Sequence, residues 1–379
     1  MIEFKRKYIM NIIINHVWFH PTIKINYIMM RRNRIITCFV TFVTISLIIS
    51  AGCKKKPEIQ PEFRGVWLHT GLFSPQKEKA VRQMDSLFTL YQETGINNLF
   101  CYNSAPGENS FTWDYLQTLI DEGNKKNIRI HPIFYPGYTV NLEKEIVDHP
   151  HWLIRGMDGQ YEPHFNIANP EVREYWIDRI KATFKYDIAG IHLDYIRFPI
   201  TQMYSYDSLT CELFKREFQY SPLEVSHDCG SMIWCEWIKW NSRQVTEFLK
   251  EIQKAVKNSE KPLLLGADVF PDMETADVLI AQNWKNWAEN GLVDFLCPML
   301  YTNNLDLFRE YVRNAMNAAG NNCKVYPGIG IHTSHNDITG ELLIKEVEIT
   351  REERTNGMVF FSGYSFNKEM MDTLNATLF

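Results

Sequence analysis

A (β/α)8 TIM barrel, built as a single domain, is the fold that the sequence predicts, and three observations predict it. Strand-like apolar runs alternate with amphipathic helical stretches along the chain after residue 61, the pattern of βαβ units and a parallel sheet. The alternation repeats eight times, the number that closes a barrel of this kind. No GxGxxG follows the first run, which argues against an open, doubly wound sheet of the dinucleotide-binding type.

The expected strands cover 63–69, 98–103, 128–134, 189–194, 263–269, 295–301, 325–331 and 358–364. Helical periodicity falls on 78–94, 113–126, 170–186, 233–256, 276–290, 305–319 and 340–354. Two connections are long, 135–169 after strand three and 198–231 after strand four. Loops of that length in a compact domain are usually functional, and both leave the face where barrel strands end.

The amino terminus reads as a targeting segment, residues 1–52. Arg31, Arg32 and Arg34 precede an apolar stretch at 35–49, followed by Ser50-Ala51-Gly52-Cys53. A charged region, an apolar region and small residues before a cysteine are the parts of a lipoprotein signal, although Ser50 stands where a lipobox usually has Leu. The apolar stretch is shorter than the ~20 residues of a spanning helix. Cleavage before Cys53 gives a diacylated residue, and two acyl chains suffice for stable membrane attachment. Met29 or Met30 are alternative starts, since residues 1–28 precede the charged region and resemble no fold. Residues 53–61, with Lys54-Lys55-Lys56-Pro57, read as a tether, and 62–379 as the barrel domain.

The formal net charge of −5 becomes more negative once the basic residues of 1–52 are set aside, which argues against a nucleic-acid partner. Aromatics make up 13% of the chain, with 10 Trp, and flat rings suit a saccharide cleft. Cys101, Cys297 and Cys323 fall in or beside strands, as buried thiols do. A disulfide among Cys211, Cys229 and Cys235 is compatible with a compartment outside the cytoplasm.

The chemistry-bearing segment is Gly190-Ile191-His192-Leu193-Asp194-Tyr195-Ile196-Arg197-Phe198-Pro199. An apolar strand ends on an acid, at the barrel end where catalytic groups sit. Side chains alternate, so His192 and Asp194 share the axis-facing side while Ile191, Leu193 and Tyr195 take the helix side. The next strand, Leu263-Leu264-Leu265-Gly266-Ala267-Asp268, ends the same way. Asp194 and Asp268 are therefore the candidate catalytic pair, one ionised and one protonated, as glycoside hydrolysis requires. The bland readings are an Asp194 salt bridge to Arg197 or Arg64, and a hydrogen-bonded barrel-mouth Asp268. Asp272 and Glu274 read as a helix cap and a first-turn acid. Trp67, His69, Tyr102, His131, His192, Arg197, Tyr301, His332 and Tyr364 stand at strand ends as candidate substrate contacts. Asn103 and Tyr135 belong to the same ring.

Neither a metal nor a cofactor is expected. His192-x-Asp194 and His149-Pro150-His151 have ligand-type residues, but the other strand ends lack the further histidines of a metal-dependent barrel hydrolase. No Gly-x-Ser-x-Gly elbow or cysteine with an evident histidine partner points to nucleophilic serine or thiol catalysis.

Three sets of residues resemble glycosyl hydrolase-like family ten: Phe63-Arg64-Gly65-Val66-Trp67-Leu68, Asn169-Pro170-Glu171-Val172-Arg173-Glu174-Tyr175, and the segment from Gly190 to Pro199. Residues 293–301 and 357–362 look like that family's sixth and eighth strands. The resemblance spans residues 61–370. It implies a (β/α)8 barrel, hydrolysis of O-glycosidic bonds, bacterial lipoprotein members and relatives acting on peptidoglycan glycan strands. The family's strand-four acid falls on Asp194. Two departures bear on specificity: Pro298-Met299-Leu300-Tyr301 replaces Pro-Gln-x-Tyr, and Asn166-Ile167-Ala168-Asn169-Pro170 replaces Asp-Pro-x-x-Pro. The expectation is a lipid-anchored glycosidase of the cell envelope acting on a poly- or oligosaccharide. The alternatives are a non-catalytic carbohydrate-binding lipoprotein on the same scaffold and, third, a metal-dependent deacetylase-type hydrolase.

Overall fold

The computed structural model describes residues 61–200, 204–224 and 230–377. The chain divides into the units Met1–Pro61 and Glu62–Phe379. The expected targeting segment, Cys53 and all of the tether except Pro61 lie outside the described residues.

In the second unit the strands are β1 Phe63–Leu68, β2 Asn98–Cys101, β3 Arg129–Phe134, β4 Leu153–Arg155, β5 Tyr161–Phe165, β6 Gly190–Leu193, β7 Leu264–Val269, β8 Phe295–Pro298, β9 Lys324–Val325, β10 Gly328–Gly330 and β11 Gly357–Phe361. The α-helices are α1 Lys77–Glu93, α2 Tyr115–Lys125, α3 Leu142–Asp148, α4 Pro170–Lys181, α5 Ser208–Phe218, α6 Met232–Lys257, α7 Met273–Ile280, α8 Trp284–Glu289, α9 Leu305–Ala319, α10 Gly340–Glu352 and α11 Lys368–Thr377.

Nine strands form one curled parallel sheet in the order β10-β11-β1-β2-β3-β6-β7-β8-β9. Its outer members, β9 and β10, are two pieces of a single run of chain. Pro327 falls between them, where the missing N–H interrupts the ladder. Beyond β8, Met299 bridges Gly328 in parallel, so the sheet returns on itself through residues 324–330. The ladder runs strand to strand in the order of the expected eight.

The helices follow from sequence at their ends and along their faces. In α9 the Asn304 side chain accepts from the backbone N–H of Asp306 and Leu307, and Phe308, Val312, Ala315 and Ala319 are buried at helical spacing, so one face packs on the sheet. The helix expected over 276–290 is instead two, α7 and α8. Ala281 between them takes φ 57, and Gln282 turns its side chain back to the end of β7.

The long connection after β3 holds α3 and the antiparallel β4/β5 hairpin, registered Leu153↔Phe165 and Arg155↔Tyr161. The connection after β6 holds α5. The buried Asp207 carboxylate fastens the two: Oδ2 accepts from Asn166 Nδ2 (2.9 Å), Ser205 Oγ (2.6 Å) and Thr210 Oγ1 (2.5 Å), while Oδ1 caps α5 through Thr210 N–H. Asn166, where the chain departs from the family pattern, is thus a structural tie.

Most apolar residues pack between sheet and helices, among them Ile191 and Leu193. A smaller cluster fills the interior of the curled sheet, with Trp67, Phe100, Ile133, Phe295, Cys297, Tyr326 and Val359. His192 belongs to that inner side, 4.4 Å from the Phe100 ring and stacked on Phe295 at 5.6 Å. Gly266 makes room for this arrangement, since a Cβ there would stand 2.1 Å from the Phe295 ring and 2.8 Å from His192 Nδ1. The alternation read from the sequence places His192, Ile191 and Leu193 correctly but not Tyr195, which leaves the strand at φ 50 and stacks on Tyr138. Cys101, Cys211, Cys297 and Cys323 are free thiols; Cys211 therefore takes no part in a disulfide, and Cys229 lies outside the described residues.

Candidate active site

Asp194 follows directly on β6, where the chain leaves the sheet. It is 5% exposed. Oδ2 accepts from the Tyr102 hydroxyl at 2.8 Å, and Oδ1 accepts from the Tyr195 N–H at 2.7 Å. The second contact needs the chain to turn sharply, and Tyr195 does so at φ 50, an uncommon conformation for a large side chain. Neither donor is a cation. The bland alternative for Asp194, an ion pair with Arg197 or Arg64, is not formed: Arg64 pairs with Glu62 at the opposite end of β1, and Arg197 acts on Asp194 only through space.

Asp268 lies one strand over and deeper, within β7. It is 1% exposed. Oδ1 lies 2.7 Å from His192 Nε2, and Oδ2 accepts from Trp67 Nε1–H at 3.1 Å. Gln282 holds the backbone, donating to the Asp268 carbonyl at 3.1 Å and accepting from Phe270 N–H at 2.9 Å. Burial, with the charge of Asp194 added, pushes the Asp268 carboxyl above its ordinary range, against the opposing pull of His192 and Trp67. That is the condition for a carboxyl to keep its proton near neutrality.

Two tyrosines join the acids. Burial and the charges of Asp194 and Asp268 push the Tyr102 and Tyr301 hydroxyls far up, so both remain protonated donors. Around them is a wall of rings. His69 stacks on Tyr102 at 4.5 Å and on Tyr364 at 5.4 Å, and Tyr301 stacks on Phe361 at 5.3 Å. Tyr364 is 56% exposed and offers an open ring face. On the other side Tyr138 stacks on Tyr195 at 4.9 Å.

The expected contacts therefore separate. Tyr102, His69, Tyr301, Tyr364 and Arg197 gather about the acids. Trp67 is also there, but it is buried and serves as a donor to Asp268 rather than as an open platform. His131 and His192 are fully enclosed and cannot touch a substrate in this arrangement. His131 lies 2.9 Å from Asn98 Oδ1 in the sheet interior, with its pKa pushed far down by burial. His192 instead bonds Asp268 at 2.7 Å, which corrects its expected place as a substrate contact. His332 is also misplaced, because it sits on an exposed turn beside Asp337 at 3.2 Å. Asp272 caps α7 by accepting from Thr275 N–H, and Glu274 stands in its first turn. His149 stacks on Trp152, and His151 bonds Glu171 at the surface. Sequence reasoning passed over Gln282, Tyr138 and Phe270, whose importance depends on loops folding back.

His192, Asp268 and Cys297 bring potential ligand atoms within 4.8 Å of one another. The donor set fits a metal poorly. The Cys297 thiol is held protonated by burial and by Asp268, and metal binding requires the thiolate. The 2.7 Å His192–Asp268 contact is already a hydrogen bond.

A curled parallel sheet with acids on adjacent strands, rimmed by aromatic rings, is an arrangement that glycoside hydrolysis can use. The chain belongs to the glycosyl hydrolase-like 10 family, whose model matches residues 89–335. No curated protein matches the sequence. Among solved structures it is similar to the PgaB (BpsB) glycoside hydrolase domain of Bordetella bronchiseptica, with a TM-score of 0.66 and 10% identity, over 83% of this chain and 98% of that one. It is similar to a β-galactosidase of the psychrophilic Marinomonas ef1 at 0.64 and 10% identity, over 83% of this chain and 58% of that one. A third is α-L-fucosidase isoenzyme 2 of Paenibacillus thiaminolyticus, at 0.60 and 13% identity, over 83% and 48%. The chain thus spans only about half the length of the galactosidase and the fucosidase. At these identities the likeness concerns the fold.

Proposed function

We propose that this protein is a lipid-anchored glycoside hydrolase of the cell envelope, built on a (β/α)8 barrel and cleaving O-glycosidic bonds of a poly- or oligosaccharide such as peptidoglycan glycan strands. The observation that carries the reading is the acid pair. Asp194 is a carboxylate held by two neutral donors at the end of β6, and Asp268 beside it is pushed toward its protonated form. Asp194 acts as nucleophile or base on the anomeric centre, and Asp268 supplies the proton for the leaving oxygen. Tyr102 steadies Asp194, and the rings of His69, Tyr301 and Tyr364 carry sugar faces. Cys53 bears the lipid.

The test is Asp194→Asn. Release of reducing ends from a glycan panel should vanish while folding and glycan binding persist; unchanged hydrolysis would sink the assignment. Product anomers then tell retention from inversion, which follow from carboxylate separations of about 5–5.5 Å and about 6.5–9.5 Å. Incorporation of labelled fatty acid, lost on Cys53→Ala, tests the anchor.

The enclosure of Asp268, with both carboxyl oxygens engaged, favours a second reading. In it the cleft binds carbohydrate without cleaving it. Binding with no reducing ends released at any pH would establish that.

A further inference from the structure

The side chain of Arg197 is left over by the chemistry above. It is 9% exposed. Nε has no hydrogen-bond partner, and Nη1 donates only to the adjacent Phe198 carbonyl at 3.2 Å. Among the described residues no carboxylate forms an ion pair with it; Asp194 acts on it from beyond that range. A guanidinium taken out of water with most of its five donors unused is costly unless a partner arrives.

The surroundings say what kind of partner. The guanidinium carbon lies 4.4 Å from the centre of the Tyr195 ring and 4.9 Å from that of Phe270. With rings against it the group is fixed in orientation, and its donors remain available only in its own plane. A planar anion meeting that edge with two parallel hydrogen bonds is the best-matched ligand, and a carboxylate has this geometry. A sugar hydroxyl accepts singly and leaves the charge uncompensated. His164 adds no second cation at neutral pH, because burial and the charge of Arg197 push it down to about 4. Tyr138, stacked on Tyr195 and edge-on to His164 at 5.4 Å, continues this wall with a ring for the same sugar.

We infer that Arg197 is the receptor for a carboxylate carried by the saccharide, so that the cleft selects acidic glycans. The inference rests on the carbohydrate reading of the site but goes beyond it, by naming a charged substituent and the side chain that meets it. Two sugar chemistries supply that group: the C6 carboxylate of a uronic acid, and the lactyl ether carboxylate of a muramic acid whose peptide has been removed.

Hyaluronan oligosaccharides represent the first source and peptide-free peptidoglycan strands the second, each compared with its carboxyl-methylated form. Binding and reducing-end release are measured on wild-type protein, Arg197→Gln and Arg197→Lys. The wild type should prefer the free acid of one source over its methyl ester by about 100-fold, the order expected when one partner of a buried charge pair is removed. Arg197→Gln should erase the preference by weakening the acid far more than the ester, and Arg197→Lys should restore little, since an ammonium lacks the planar fork. The source that shows the preference identifies the sugar. Equal handling of acid and ester by wild-type protein overturns the inference and leaves the hydrolase reading intact. So does an Arg197→Gln loss that falls equally on both forms, which would make Arg197 a positioning residue for Asp194. Acid-selective binding without cleavage keeps the inference and removes the hydrolase. Failure of every form to bind or react overturns both.

Discussion

The ends of β6 and β7 look alike in sequence and differ in the folded protein. Each is an apolar run closed by an aspartate. Asp194 lies just past its strand, against two neutral donors and at the foot of an aromatic wall. Asp268 lies within its strand, and His192 and Trp67 take both of its oxygens. The register Leu193↔Ala267 sets the two acids side by side, so their partners, not their place along the strand, separate an acid at the cleft from an acid of the interior. The same sequence signature thus yields a group that can meet a substrate and a group that can store a proton. Proximity couples them, since the charge of Asp194 raises the cost of ionising Asp268.

That contrast can be broken by substitution. The largest effect is expected from Asp194→Asn, a loss of about 10⁴-fold in kcat, the order seen when a central catalytic group is removed. Asp268→Asn should cost about 10³-fold if it delivers the proton, and activated substrates that need no acid should recover much of the loss. If they do not, the end of β7 is core and the two ends differ in kind. Tyr102→Phe removes one donor to Asp194 and should lower kcat by about 10-fold, as charged hydrogen bonds are worth about 1.5–3 kcal/mol. Trp67→Phe is the mildest. The indole N–H favours the ionised Asp268, so its loss raises the pKa further, and the alkaline limb of the pH–rate profile should move up by about one pH unit. A downward or absent movement would show that Asp268 does not set that limb.

The strands were legible because burial on both faces and β-branched composition speak plainly in sequence. The alternation that aims His192 and Asp194 inward was legible for the same reason. Less visible was the depth of each side chain. His131 and His192 have the parity of cleft residues, yet they lie low enough in the sheet for Phe100 and Phe295 to close over them; parity gives the side, not the level. The β4/β5 hairpin was missed because its strands are short, although Asp158-Gly159 marks its turn. Gln282 could not be foreseen, since its contact with β7 depends on a left-handed turn at Ala281 that no local pattern announces.

The parallel direction of the sheet has a practical consequence. The backbone enters β1 at Phe63, the start of a six-residue strand, and the acids lie toward the opposite ends of β6 and β7 in the same parallel sheet. The entry point is therefore a handle on the side away from the work. A support attached ahead of Glu62 would present the cleft outward, free to meet a polymer too large to diffuse.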